Sequence, residues 1–291
     1  IEAINHYQRI LSDNNILMDL IREELEDIKK TYGDKRRTQF QKLINFSKED
    51  LTKEEDLVVT LSNAGYVKAQ PVDTYSSQKR GGRGKTAATV KDEDFIEKLF
   101  VANSHDTILC FSSLGKVYWL KVYDIPQSGR SAKGKAIVNI LSLAQFEKIT
   151  AIQKISNYDE ELFVLMATSK GIIKKTKLTE FSRPRPSGLI AINLKDGDNL
   201  IEASITDGKK QIMLFSSAGK TIRFNESDVN CVGRSAAGVK GITIGKGQSV
   251  ISMITSHKED ADDILIATEN GYGKRTKIDE FSLQKRSGKG N

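Results

Sequence analysis

The chain has 291 residues, with 45 Lys and Arg against 38 Asp and Glu, a formal net charge of +7 and 38 % hydrophobic residues. That length suits one or two domains with a sizeable core. Two cysteines, no CxxC pair and no Cys/His cluster argue against a structural zinc site or a disulfide framework, and no apolar run approaches a membrane span or a signal peptide. A reducing, cytoplasmic setting is expected, with Cys110 a buried thiol inside the apolar run ILCF. The chain opens in mid-pattern at Ile1 and reads as part of something longer.

Residues 1–32 read as helix, interrupted by the capping-type residues Ser12, Asp13, Asn14 and Asn15. Beyond the break Ile16, Leu17, Leu20, Ile21, Leu25 and Ile28 form one apolar stripe at helical spacing. Gly33 supplies a stop, with Lys29 and Lys30 in the last turn. The stripe predicts a face that packs on other helices; Glu23, Glu24, Glu26 and Asp27 oppose a membrane-surface role. A helical segment at 1–38 and a polar linker at 39–56 are expected to precede a domain at 57–291.

From Leu57 the pattern changes to strands and repeats itself. Units start near 57, 107, 162, 211 and 263, each with a short apolar strand: LVVTLS, ILCFSS, LFVLMATS, IMLFSS and ILIATE. Turn glycines follow at Gly65, Gly115, Gly171, Gly219 and Gly271, spaced by 50, 56, 48 and 52 residues. A second strand rich in Lys and Arg completes a hairpin. A second glycine then arrives behind a basic segment, at Gly84, Gly134, Gly188, Gly238 and Gly290. It lies 19 residues after the first glycine in four units and 17 in the third, and in four units an Arg (Arg80, Arg130, Arg234, Arg286) stands four residues before it. Each unit continues through an apolar stretch to a last strand. Four strands per unit of about 50 residues, repeated, predict a mainly β, propeller-like disc. The fifth unit reaches only its second glycine, leaving four full units and part of a fifth.

The charge is uneven. Residues 1–40 carry 7 basic and 8 acidic residues, the remainder 38 and 30. The densest basic run is QKRGGRGK at 78–85, the most charged and glycine-rich version of the loop before each second glycine. Its GKT (84–86) lacks the glycine five residues earlier that a phosphate-binding P-loop requires, since position 79 is Lys. One RGG inside a folded repeat does not make an RNA-binding tail. His6, His105 and His257 have no ligand spacing, and no nucleophile constellation is present, so no catalytic site and no metal site are expected. Basic second strands also protect sheet edges and aid solubility. Yet Lys68, Lys121, Lys174, Lys175, Arg223, Lys274 and Arg275 recur at matching places, and with Lys85, Arg130, Lys133, Lys135, Arg183, Arg185, Arg234 and Arg286 they predict a basic rim suited to duplex DNA. A propeller that scaffolds proteins would instead carry aromatic and apolar loop tips.

These residues resemble the C-terminal portion of the A subunit of bacterial DNA gyrase. QKRGGRG at 78–84 is similar to that family's signature heptad, the gyrase A box, with Lys79 where Arg is commonest; REELEDIKKTYGDKRRT (22–38) resembles the end of the preceding coiled-coil region; LCFSSLGKVY (109–118), GIIKKTKLTEF (171–181) and NGYGKRT (270–276) resemble its repeats. The resemblance implies a six-bladed β-pinwheel whose neighbouring blades exchange strands, wrapping duplex DNA without sequence specificity so that gyrase supercoils negatively with ATP. Gln78, Lys79, Arg80, Gly81, Gly82, Arg83 and Gly84 would contact DNA. The gyrase B subunit and a second A subunit would complete an A2B2 enzyme in the bacterial nucleoid, with no membrane partner. ATP and Mg2+ would be used, and the reaction catalysed, outside this chain. The alternative is the C-terminal domain of a topoisomerase IV subunit, which the intact heptad disfavours.

Overall fold

The computed structural model describes residues 1–38, 47–74, 94–129, 132–257, 259 and 263–291. It divides into two compact units, Ile1–Phe46 and Ser47–Asn291.

In the first unit α1 (Glu2–Ser12) and α2 (Asn14–Tyr32) are separated by Asp13 alone. Its backbone is extended and its carboxylate accepts from the Asn15 amide at 2.9 Å, a side-chain cap that starts α2. Gly33 ends α2 as expected, but at φ −71 rather than in the left-handed region. Space selects glycine there, because a Cβ would lie 2.2 Å from the Lys29 carbonyl oxygen. Ile10 is buried, whereas Ile16, Ile21, Leu25 and Ile28 of the stripe remain 37–60 % exposed.

The second unit opens with β1 (Asp56–Ser62), β2 (Tyr66–Pro71) and β3 (Ile96–Asn103). The next three repeats contain β4 (Thr107–Ser112), β5 (Lys116–Lys121), β6 (Lys135–Ala136) and β7 (Ile149–Ile155); β8 (Phe163–Thr168), β9 (Ile172–Lys177), β10 (Leu189–Ile190) and β11 (Leu200–Thr206); and β12 (Gln211–Ser216), β13 (Thr221–Asn225), β14 (Val239–Lys240) and β15 (Val250–Ser256). A hairpin of β16 (Asp263–Ala267) and β17 (Gly273–Lys277) follows.

Each hairpin has the same chemical cause. The residue three before the turn glycine is Ser62, Ser112, Thr168, Ser216 or Thr268. Its carbonyl accepts from the glycine amide at 2.8–3.0 Å. Its hydroxyl accepts from the amide just after the glycine at 3.1–3.3 Å. The five glycines have φ between 75° and 82°, where L side chains are strained.

The repeats do not keep their strands to themselves. The sheets run β3-β1-β2-β6, β10-β5-β4-β7, β11-β8-β9-β14 and β13-β12-β15. Thus β6, β10 and β14, the short strands after the second glycines, leave their own repeats and cover the outer edge of the preceding sheet. In the fourth sheet Asn291 begins the same move, exchanging N–H···O bonds of 2.9 and 3.0 Å with Thr221. Strand exchange caps edges that would otherwise be open. At the other side of the sheets β7 contacts β11, and β11 contacts β15.

The core consists of the interfaces between neighbouring sheets. Ile108 and Cys110 of β4 join the cluster built with the first sheet, while Leu109 and Phe111 join the one built with the third. A first strand buried on both faces needs a continuous apolar run rather than alternation, which is what ILCF supplies. Cys110 is a buried free thiol, as expected, and burial pushes its pKa up to about 12. Residues 47–55, within the segment 39–56 expected to be a linker, are tied to the junction of the first two repeats and to the second. The Ser104 amide and hydroxyl donate to the Glu55 and Lys53 carbonyls at 2.8 and 2.9 Å, and Lys48 pairs with Asp124.

Candidate nucleic-acid interface

The second glycines have a structural cause. Gly134, Gly188, Gly238 and Gly290 all have φ between 71° and 88°. Each presses on the second strand of the preceding sheet: a Cβ would come 2.5 Å from the Val67 carbonyl oxygen at Gly134, 2.7 Å from the Tyr118 ring at Gly188, 2.5 Å from the Ile173 carbonyl oxygen at Gly238 and 2.8 Å from that of Thr221 at Gly290. The fixed offset between the two glycines therefore records strand exchange. The basic loops between them are laid over the outer strands by the same contact.

Four of the basic residues assigned to the rim point inward. Lys68, Lys174, Lys175 and Arg223 are between 0 % and 7 % exposed. Lys68 donates to the Gly129 and Ala132 carbonyls at 3.3 and 3.0 Å. Lys174 donates to Ala191 at 2.7 Å and to the Arg234 carbonyl. Arg223 donates through Nη1 to Ile278 and Phe281 at 2.7 and 3.1 Å, and through Nε and Nη2 to the Gln211 side chain. Lys175 reaches the Glu226 carbonyl at 3.3 Å and its carboxylate at 3.8 Å. The position fourth after the turn glycine shows the logic. Trp119, Lys175 and Arg223 all stand there, and each donates to a carbonyl in the 3₁₀ turn of the next repeat: Phe181, Glu226 or Ile278. An indole in the same role as an ammonium and a guanidinium marks a fastening between blades, not a phosphate contact. The expected exposure of these side chains is not met because loops and 3₁₀ turns of the next repeat cover the second strands, and the long donors satisfy carbonyls there.

Burial lowers the pKa of Lys68, and brings that of Lys174 down to about 8 with the Arg234 charge adding to the effect. Arg223→Met is expected to destabilise the fold by about 2–4 kcal/mol, since it strands several buried acceptors. The slope of duplex affinity against salt should not change. Denaturant melts and a salt titration check both, and a slope shallower by about one would return Arg223 to the interface.

The other assigned cations face outward to differing degrees. Lys133, Lys135, Arg183, Arg185, Lys274 and Arg275 are exposed or partly so, and Lys121, Arg234 and Arg286 are half-buried. Lys133 Nζ lies 3.7 Å from the centroid of the Tyr66 ring on the preceding sheet. Arg286 donates to the Asp228 and Lys240 carbonyls at 2.9 and 3.1 Å, binding its loop to the fourth repeat. Lys121 pairs with Glu49 at 3.6 Å, Arg275 with Asp263 at 3.0 Å and Arg234 with Glu180 at 3.6 Å. Arg183 and Arg185 alternate with Pro184 and Pro186, and the Gly188 amide closes a turn on the Arg185 carbonyl at 2.9 Å. Residues 78–85 and Arg130 lie outside the described residues. Sequence reading passed over Lys240, which is exposed on the exchanged strand β14, and Lys289 beside Gly290. Their signal was adjacency to a second glycine. Among the described residues no group of three or more His, Cys, Asp or Glu is placed to hold a metal ion, and no helix is long and apolar enough to cross a membrane.

Successive four-stranded sheets joined by exchanged strands define a β-pinwheel, a propeller relative. The sequence matches the family described as DNA gyrase C-terminal domain, beta-propeller, over residues 56–103, 106–156, 163–207, 210–257 and 262–291. The chain belongs to that family. It is 52 % identical to the A subunit of DNA gyrase from Salmonella typhimurium over 275 residues, covering 94 % of this chain and 31 % of that one. Against the corresponding Haemophilus influenzae protein the identity is 49 % over 310 residues, covering 97 % and 35 %. The chain thus spans about a third of the length of these relatives. Among solved structures it is similar to the C-terminal domain of DNA topoisomerase IV (TM-score 0.69, 30 % identity, 82 % of this chain and 72 % of that one) and to a DNA gyrase A C-terminal domain (0.66, 29 %, 81 % and 76 %).

Proposed function

We propose that the pinwheel binds duplex DNA without sequence specificity and wraps it along its basic outer loops, so that gyrase introduces negative supercoils at the expense of ATP. The observation that carries this reading is the repeated outward loop. Each second glycine lays its loop on the preceding sheet, and Lys133, Lys135, Arg183, Arg185 and Lys240 stand on or beside the exchanged strands with access to solvent. Lys and Arg on such loops set a backbone path and carry little base information. Bending a 20–30 base-pair site costs on the order of 1–6 kcal/mol, so several contacts distributed along the path are needed to offset it. The heptad at 78–84 would fasten the duplex at the first repeat. The two pinwheel likenesses have nearly equal TM-scores, so fold alone does not choose gyrase over topoisomerase IV; the intact QKRGGRG favours gyrase. In this reading the partners are duplex DNA, the gyrase B subunit and a second A subunit in the bacterial cytoplasm, with ATP and Mg2+ acting outside this chain.

Closed circular DNA relaxed in the presence of the chain should show a linking-number shift of one sign that grows with protein; no shift sinks wrapping. Affinity for a mixed-sequence duplex should fall by about 10³-fold or more between 50 and 200 mM salt, as expected for six or more neutralised phosphates. A nearly flat dependence would point to protein–protein recognition.

A further inference from the structure

A cleft of about 520 Å³ lies between the third and fourth repeats, lined in part by Glu180, Arg185, Gly188, Gly233, Arg234 and Ser235. Its charged groups are mismatched. Glu180 Oε2 stands 3.6 Å from Arg234 Nε, near enough to pair charges but too far for a hydrogen bond. Arg234 Nε is itself buried and has no hydrogen-bond partner. The corresponding arginine of the fifth repeat, Arg286, is satisfied by two carbonyls. The Arg234 backbone is held from beneath, because its carbonyl accepts from Lys174. The arginine is therefore positioned, while its guanidinium has a counter-charge and an unused donor.

We propose that Glu180 is an intramolecular stand-in for a backbone phosphate, holding Arg234 until duplex DNA displaces it. This rests on the duplex-binding reading above. A phosphodiester oxygen in the cleft would take the Nε–H that the carboxylate leaves unmet, and the planar guanidinium fork suits phosphate geometry. Arg185, exposed across the cleft, would supply a second charge to the same phosphate. The side chains of Glu180 and Arg234 are 50 % and 34 % exposed, and an ion pair that open to water is weak enough for an incoming anion to break. The carboxylate keeps the site shut to weaker anions and raises the threshold for closing the wrap between these repeats.

The test is a double-mutant cycle on the whole chain, read as affinity for a mixed-sequence duplex at about 50 mM salt. Glu180→Gln should bind about 2–5-fold tighter, the equivalent of one exposed ion pair. Arg234→Gln should bind more weakly and should abolish the gain from Glu180→Gln. An equal gain in both backgrounds would mean that removing Glu180 merely lowers general repulsion, and the latch is wrong. Undiminished binding by Arg234→Gln also overturns it. If Arg234→Gln melts early, Arg234→Lys takes its place: a smaller Glu180→Gln gain supports the latch, and a full gain overturns it. Failure of the unsubstituted chain to bind any duplex sinks the functional reading itself, and the latch with it.

Discussion

Neutralising Lys79, Arg80 and Arg83 together, as glutamines, is expected to abolish negative supercoiling by the assembled enzyme while relaxation of supercoiled DNA survives. Charge density is the reason. Residues 78–85 place four cations among three glycines, more than any corresponding loop of the later repeats. Each phosphate contact involving an ionised donor is worth about 1.5–3 kcal/mol. Losing three removes more than the cost of bending one segment of duplex, about 1–6 kcal/mol, can spare. In the proposed wrap, the duplex would then come off the first repeat and strand passage would lose its direction. Relaxation needs no imposed direction, so it separates a wrapping defect from a general one. Supercoiling at the normal rate would remove the fastening role. Loss of both activities together with a lowered melting temperature would instead report unfolding.

The second large effect is on the scaffold. Gly238→Ala should cost about 2–5 kcal/mol, while Gly219→Ala should cost only about 1–2 kcal/mol. Both glycines are left-handed, at φ 87° and 75°, and that conformation penalises any L side chain by about 1–2 kcal/mol. They differ in surroundings. A Cβ at Gly238 would meet the Ile173 carbonyl oxygen at 2.5 Å and Lys174 Cβ at 3.0 Å, whereas nothing lies within 4 Å at Gly219. The obstruction at Gly238 is backbone of a sheet buried on both faces, so it can yield only by pushing β14 off β9. Overpacking of that kind adds about 1–3 kcal/mol. Denaturant melts on both variants decide it; equal losses would mean that conformation alone, not strand exchange, demands the second glycine. Because the loop of residues 233–238 rests on that contact, Gly238→Ala should also weaken duplex binding where Gly219→Ala does not.

The hairpins and their turn glycines were legible because their causes are local, and the second glycines because the same contact with the preceding sheet recurs in each repeat. A Ser or Thr hydroxyl three residues before a glycine closes the turn on the next amide, and a positive φ excludes most other residues. The direction of the basic side chains was not legible. Lys174 and Lys175 sit side by side in IIKKT, a pattern that reads as an exposed edge strand, yet both are buried. Lys135 and Lys240, on the exchanged strands, are exposed. The outer loops needed both readings: the Arg-x-x-x-Gly spacing was plain, but whether a given arginine is tied to carbonyls, like Arg286, or left with an orphaned donor, like Arg234, depends on the neighbouring repeat.

Where the chain turns, how often it repeats and which segment concentrates positive charge (QKRGGRGK at 78–85) are thus written in the residues alone. Short-range chemistry dictates those features, through backbone conformation, hydroxyl caps and composition. Which cations meet water and which meet carbonyls was set only when the chain folded. That choice depends on segments of the next repeat, such as strands donated from 66 to 70 residues away, which cover an edge that water would otherwise solvate and leave carbonyls for the long side-chain donors to satisfy.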